Sequence, residues 1–299
     1  MNDNSINVNK YPIHLPTSDP KYATILRHAQ QQLQSSGCAT FPQFFTPQAV
    51  KIATREASQA ASQAFTTDSN HNAFQLPATD ATLPPSHPRN IQMRTRVASM
   101  AYDELDRHGP LYKLYNNPSF LEFVKSVTNQ NELHKLGDPL GACTVNIFKP
   151  GWYHAWHFDE SEFTTTLCLQ QSESGGEFEY TPKLRDDQSI DKCSPNVAAV
   201  INAHSEYTSQ IGDDNSAACV TTLPPVHTSD FQPGTLQIFA GRYSFHRVKS
   251  IPLTSKIDRL VAVLCFSREK NVVNSTEVQK MFWGRTVEAN AASVGSSKL

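Results

Sequence analysis

The feature that most restricts the fold of this 299-residue chain is a change of texture near Cys143. Ahead of it, helix grammar recurs. Asp19 can cap, Pro20 suits a first helical position, and Ile25, Leu26, Ala29 and Leu33 follow at helical spacing until Gly37 supplies a stop. Thr46-Pro47 repeats the pattern for a long Ala/Gln/Ser-rich helix through Val50, Ile52, Ala53, Ala57 and Ala61 to about Phe65, and Asn117-Pro118 opens another over Phe120, Phe123, Val124 and Val127. Residues 66–90 are polar and Pro-rich and read as a long loop, of the kind that often borders a site.

Behind Cys143 come short runs separated by Pro-Gly, Gly-Gly or Asp-rich turns: Cys143–Phe148, Phe163–Leu169, Glu177–Tyr180, Val197–Ile201, Thr235–Phe239, Arg247–Ile251 and Leu260–Phe266. Strands at such spacing, with the helices gathered in the first half and no βαβ alternation, predict a mainly β fold with α: a double-sheet jelly roll supported by N-terminal helices. The expected organisation is a flexible arm over residues 1–18 and one domain over 19–299. That domain divides into a mainly helical part (19–139), the jelly-roll core (140–268) and a C-terminal segment (269–299).

Composition removes several function classes. Lys and Arg number 26 against 28 Asp and Glu, so there is no basic footprint for nucleic acid or an anionic membrane. Neither GxGxxG nor GxxxxGK[ST] occurs, which withdraws support from nucleotide binding. Met1–Pro12 lacks an apolar stretch and no run approaches a membrane span. Six dispersed cysteines without a CxxC read as reduced thiols, and a cytoplasmic location is expected.

The residues that carry chemistry lie in Trp156-His157-Phe158-Asp159-Glu160. On an extended strand His157 and Asp159 share one face, while Trp156 and Phe158 share the other. His246, at the start of a strand, is placed so that a second sheet can deliver it to this pair. Two His and one carboxylate on one octahedral face leave three positions open on Fe(II), whereas a structural zinc site would be closed and usually include Cys. Arg259 opens the run to Phe266 after a Leu253–Asp258 turn that would return it beside the His246 strand. Its guanidinium fork suits the distal carboxylate of a dicarboxylate. His154 would face away on an extended strand and serve as a neighbour rather than a ligand, and His204-Ser205-Glu206 is a rival His-x-acid pair in a polar stretch.

His157-Phe158-Asp159, His246-Arg247-Val248 and Arg259 together resemble the Fe(II)/2-oxoglutarate-dependent oxygenases over about residues 140–268. The resemblance implies a double-stranded β-helix of jelly-roll type, Fe(II) held by His157, Asp159 and His246, and 2-oxoglutarate as co-substrate with dioxygen. Oxidative decarboxylation to succinate then drives oxidation of an unactivated C–H bond. Trp156–Glu160, the Pro233-Gly234-Thr235 turn and Trp283 are further similar to the subgroup acting on free amino acids, which contains hydroxylases and radical halogenases. Halogenases replace the metal carboxylate by Gly or Ala to admit chloride, so Asp159 argues for hydroxylation, desaturation or oxidative ring closure.

The same resemblance implies Glu160 as partner of a substrate ammonium and Arg94, with Arg89 and Arg96 as rivals, as partner of a substrate carboxylate. Trp283 and Phe282 become candidate pocket walls, and Asn146 and Thr144 candidate hydrogen-bonding partners of 2-oxoglutarate. The expected function is oxidation of a small amino acid or N-substituted amino acid, by hydroxylation or kainoid-type cyclisation. A peptidyl, prolyl-type hydroxylase and a non-catalytic metal-binding jelly-roll module are the alternatives.

Overall fold

A computed structural model describes residues 5–186, 195–204 and 223–287. In chain order its strands are β1 (Cys38–Phe41), β2 (Phe65–His71), β3 (Met93–Met100), β4 (His134–Lys135), β5 (Cys143–Phe148), β6 (His154–His157), β7 (Phe163–Gln170), β8 (Phe178–Lys183), β9 (His227–Thr228), β10 (Leu236–Phe239), β11 (Ser244–Val248) and β12 (Arg259–Ser267). The helices are α1 (Pro20–Ser36), α2 (Pro47–Ala60), α3 (Pro110–Tyr115), α4 (Pro118–Val127), α5 (Pro195–His204) and α6 (Thr276–Trp283). All strand pairs are antiparallel. An eight-stranded sheet runs β1-β10-β7-β12-β5-β3-β2 with β4 on β12, and a four-stranded sheet runs β6-β11-β8-β9.

The period-two alternation of each strand divides its side chains between two environments. On the large sheet, Val145, Ile147, Leu167, Leu236, Ile238, Leu260, Ala262 and Leu264 join the helices in one core, built around the ring cluster of Tyr22, Phe41, Phe44 and Phe123. Asn146, Phe148, Thr164, Thr166, Phe239, Arg259, Val261 and Val263 line a cavity on the other face. The small sheet divides the same way: His154, His157, Phe178, His246 and Val248 line that cavity, while Trp156 and Phe245 pack outward against Val197, Val200 and Ile201 of α5.

The helix starts follow the sequence grammar. Asp19 accepts from the Lys21 and Tyr22 amides, Thr46 from Ala49 and Asn117 from Ser119, each ahead of a proline, and Gly37 ends α1 at φ 88°. Four expectations need correction. Helix α2 stops at Ala60, and Phe65–His71, read as helix end and loop, is an edge strand paired with β3 along its whole length. Val197–Ile201 is helical, because Val197, Val200 and Ile201 bury at helical spacing that a short apolar run conceals. The part over 19–139, read as mainly helical, also contributes β1, β2 and β3 to the large sheet. The arm is not loose over its described residues. Ile6, Tyr11 and Ile13 are buried, and the Asn7 amide and Thr46 amide tie residues 5–7 to 44–46. Isolated apolar residues without periodicity carried that anchoring.

Cys38, Cys143, Cys168 and Cys265 are free thiols, and burial pushes Cys38 and Cys168 up to about 12. Among the described residues no helix is long and apolar enough to cross a membrane. Because Phe123 is fully buried and contacts three other rings of the cluster, Phe123→Ala is expected to cost about 3–5 kcal/mol of unfolding free energy. Chemical denaturation followed by circular dichroism measures it.

Candidate metal centre

His157 ends β6, Asp159 lies two residues beyond it, and His246 sits on β11 directly across from His157. His246 therefore arrives on the neighbouring strand of the same sheet, not from a second sheet as expected. Adjacent antiparallel strands bring directly opposed side chains on one face together without any sheet-to-sheet crossing. The Nε2 atoms of His157 and His246 stand 3.5 and 3.4 Å from Asp159 Oδ1. Ligand atoms of all three residues lie within 4.8 Å of one another.

Hydrogen bonds fix the orientation of each ligand. His157 Nδ1 donates to the Ala155 carbonyl at 2.7 Å and His246 Nδ1 to the Ser244 carbonyl at 2.9 Å, which leaves both Nε2 lone pairs free for an ion. Asp159 is divided between two tasks. Thr164 Oγ1 donates to Oδ2 at 2.6 Å, so Oδ1 alone turns to the imidazoles. Burial by itself would raise the Asp159 carboxyl, yet the facing His246 and His157 hold it well below the usual carboxylate range. Burial, reinforced by His246, lowers His157 and keeps it neutral, the form that ligates. Two cis ligands on one octahedral face stand about 3 Å apart around a common ion. The donor set, the free lone pairs and the spacing thus fit a divalent iron with the opposite face open.

Asp159 is held from three sides. Its amide donates to the Gly241 carbonyl, while the preceding residue, Phe158, donates its amide to Ala73 and accepts at its carbonyl from the Gln75 side chain. Gly241 lies so close that a Cβ there would fall 2.1 Å from Asp159 Oδ2 and 2.6 Å from Thr164 Oγ1.

Arg259 lies in the same cavity. It opens β12, which belongs to the large sheet and not beside the His246 strand as expected, because the Leu253–Asp258 segment crosses between the sheets. Its guanidinium sits over the Phe148 ring at 5.5 Å and the Phe231 ring at 5.7 Å, and Nη1 is buried without a hydrogen-bond partner. Burial pushes it down to about 10, so it remains a cation at neutral pH, and among the described residues it forms no ion pair. A buried cation in that state is a site prepared for an anionic ligand.

The whole-chain comparisons agree with this geometry. A family model described as Halogenase D matches residues 22–283. The chain belongs to the Halogenase D family. No curated protein matches its sequence. Among solved structures, the non-heme alpha ketoglutarate dependent carbocyclase SnoK from nogalamycin biosynthesis is 12% identical, with 87% of this chain and 92% of that chain covered and a TM-score of 0.53. The non-heme alpha ketoglutarate dependent epimerase SnoN from the same biosynthesis is 13% identical, covering 82% and 83%, with a TM-score of 0.52. At such identities the likeness establishes the fold. Family, fold and triad together make this Halogenase D family member an oxidoreductase of the Fe(II)/2-oxoglutarate dioxygenase class.

The other expected site residues are dispersed. Asn146 lines the cavity and accepts from Ser99 at 3.0 Å, whereas Thr144, on the same strand face, does not reach the lining. Glu160 turns away from the cavity: Oε2 accepts from the Ser275 amide at 2.8 Å and Oε1 from the Ser275 hydroxyl at 2.5 Å, which ties the metal-bearing loop to the start of α6. Arg94 is exposed on β3 and forks onto Asp68, with Arg96 at the same carboxylate and stacked over Trp152. Arg89 lies over the Phe74 ring. Trp283 is buried against Gly141, while its neighbour Phe282 reaches to 5.6 Å from His154. His204 ends α5, and Ser205 and Glu206 of the rival pair lie outside the described residues.

His154 needs the clearest correction. It does not face away: it lines the cavity, buried, stacked on His157 with centroids 3.7 Å apart, its Nε2 without a partner. The register explains this. His157 pairs with His246 and His154 with Val248, so three residues of β6 span two of β11. That bulge returns position 154 to the metal face, where strict alternation would not. Only the His-x-x-His spacing hinted at it. Gly241→Ala is expected to push the Asp159 carboxylate out of place and weaken Fe(II) binding by about tenfold or more. Equilibrium metal titration checks this against an unchanged circular dichroism spectrum.

Proposed function

We propose that the protein oxidises an unactivated C–H bond of a small amino acid or N-substituted amino acid, by hydroxylation or oxidative ring closure, with formation of succinate and CO2. The observation that carries this reading is the presence, in one cavity, of the His157-Asp159-His246 face and the unpaired Arg259 guanidinium. A dicarboxylate keto acid carries a group for each, a keto-carboxylate for the metal face and a distal carboxylate for the guanidinium. The double-stranded β-helix expected from the sequence is the jelly-roll arrangement this reading assigns to the two sheets.

When bound, Fe(II) with 2-oxoglutarate would activate dioxygen, the four-electron oxidant that is consumed in oxidising 2-oxoglutarate to succinate and CO2 and the substrate C–H bond. The protein residues supply position and exclusion of water. His157, Asp159 and His246 hold the metal, and Thr164 keeps Asp159 to a single ligating oxygen. Arg259 receives the distal carboxylate of 2-oxoglutarate through its free edge, held by Phe148 and Phe231. Phe178 and Phe239, both against His246, keep that side of the cavity apolar. His154 offers a neutral imidazole nitrogen to a polar group of the substrate, since burial and the neighbouring His157 lower it well below its ordinary value.

Membership in a family described as Halogenase D raises chlorination as a second outcome. Asp159 speaks against it, because its carboxylate occupies the corner that a halide would need. Gly241 and Thr164 are fitted around that carboxylate. Turnover is therefore expected to be independent of chloride.

Incubation of the purified protein with Fe(II), 2-oxoglutarate, oxygen and pools of amino acids and N-alkyl amino acids, read by mass spectrometry, tests reaction and substrate together. Succinate formation coupled to a product 16 mass units heavier (~+16, hydroxylation) or two lighter (~−2, ring closure) supports the proposal. Substrate turnover without 2-oxoglutarate overturns it, and Asp159→Ala should abolish the activity. Arg259→Leu is expected to raise the apparent Kd for 2-oxoglutarate by roughly 30-fold or more, the cost of losing a desolvated charge partner. Anaerobic titration of the visible charge-transfer band measures that shift.

A further inference from the structure

We infer that His71 and Thr95 are positioning residues for the metal ligand His157, acting through hydrogen bonds that fix the Ala155 backbone, whose carbonyl in turn holds the His157 ring. This rests on the reading of His157 as a metal ligand.

The connection can be followed atom by atom. His157 Nδ1 donates to the Ala155 carbonyl at 2.7 Å. The Ala155 amide donates to Thr95 Oγ1 at 3.0 Å. Thr95 Oγ1 stands 2.6 Å from His71 Nε2, and His71 Nδ1 stands 2.8 Å from the Asn72 carbonyl. A carbonyl can only accept, so His71 carries its proton on Nδ1. Nε2 of the neutral ring is then the acceptor for the threonine hydroxyl. Thr95 and His71 thus hold the amide side of Ala155, and the carbonyl side of the same residue holds the His157 ring, so the two parts are joined mechanically through the Ala155 backbone.

The far end is fixed. Asn72 accepts at Oδ1 from the Phe74 and Leu76 amides and donates from Nδ2 to the Ala78 and Arg89 carbonyls. His71 is fully buried, edge-on to both His154 and His157, with ring centroids 6.0 and 6.4 Å away.

The fold supplies the reason for the connection. Strand β6 is the edge of the small sheet, and next to it β3 approaches through a single bridge at Arg96 and Tyr153. On that edge the Ala155 amide donates to a side chain, the Thr95 hydroxyl. The same hydroxyl carries the connection on to His71. Behind His246, whose Nδ1 donates to the Ser244 carbonyl, the Ser244 amide goes to the Ala240 carbonyl, a backbone partner. The two histidines thus differ in what stands behind them, and His157 is the ligand whose orientation side chains on another strand adjust.

Co(II) titration of the apo-protein, read by equilibrium affinity and by the visible ligand-field spectrum, tests this without turnover. Thr95→Val should weaken Co(II) binding by about 10- to 100-fold and change the ligand-field bands. Thr95→Ser, which keeps the hydroxyl, should restore both. His71→Leu should act in the same direction, and the double variant should be no worse than Thr95→Val alone, because both cut one connection. Wild-type affinity and spectrum in folded Thr95→Val, or additive losses in the double variant, would overturn the inference. If Thr95→Val fails to fold by circular dichroism, unchanged Co(II) binding in His71→Leu overturns it equally. Failure of the unaltered protein to bind Co(II) would instead remove the metal-site reading itself.

Discussion

The structure depends on keeping two opposite charges unneutralised in one largely dry cavity. Asp159 and Arg259 both line it, and among the described residues no ion pair joins them. Left to itself a chain would pair such groups or expose them, because each isolated buried charge is costly. Here every surrounding element prevents that. Thr164 and Gly241 pin the carboxylate toward the imidazoles, and the Phe148 and Phe231 rings flank the guanidinium. On the proposed function, a metal and an anionic co-substrate would offset that cost, which would make the folding cost and the binding capacity one property.

Much of the polypeptide serves to make that arrangement rigid. Strand β6 is only four residues long and lies at a sheet edge, and Asp159 falls beyond its end, so its own ladder cannot hold His157 and Asp159 in register. It is secured from outside by Thr95 and Arg96 of β3, by Ala73 and Gln75 from the segment after β2, and by the Gly241 carbonyl beyond β10. Glu160 carries the restraint on to α6, whose Phe282 returns to His154. The outward faces of β6 and β11 matter too. Trp156, Phe158 and Phe245 form a second small core under α5, which buries the back of the metal-bearing strands.

The meeting of His157, Asp159, His246 and Arg259 in one cavity was legible from residue type and order, because their chemistry is concentrated in a short His-x-Asp and two single positions. The two-sheet character was legible because strands β5, β7, β10 and β12, with part of β8 and the end of β11, show alternating or apolar runs between turn residues. His71 and Thr95 were not legible. His71 stands in the polar, Pro-rich stretch 66–90 that reads as loop, Thr95 follows that stretch between two arginines, and a buried polar side chain on either strand looks in sequence like an exposed one. His154 was misread for a related reason: strict alternation is a property of regular strands, and the bulge exists only in the pairing of β6 with β11.

What the sequence by itself determined is the inventory: two imidazoles, one carboxylate and one guanidinium of the right kinds, with helix caps and strand runs to carry them. The tertiary structure decided their partners. It took Glu160 and Arg94 out of the site by giving them Ser275 and Asp68, and it brought His154 in. The physical reason is that a side chain's role depends on which groups compete for its hydrogen bonds. Those competitors, Ser275 and Asp68 among them, are distant in sequence and meet only when the sheets close.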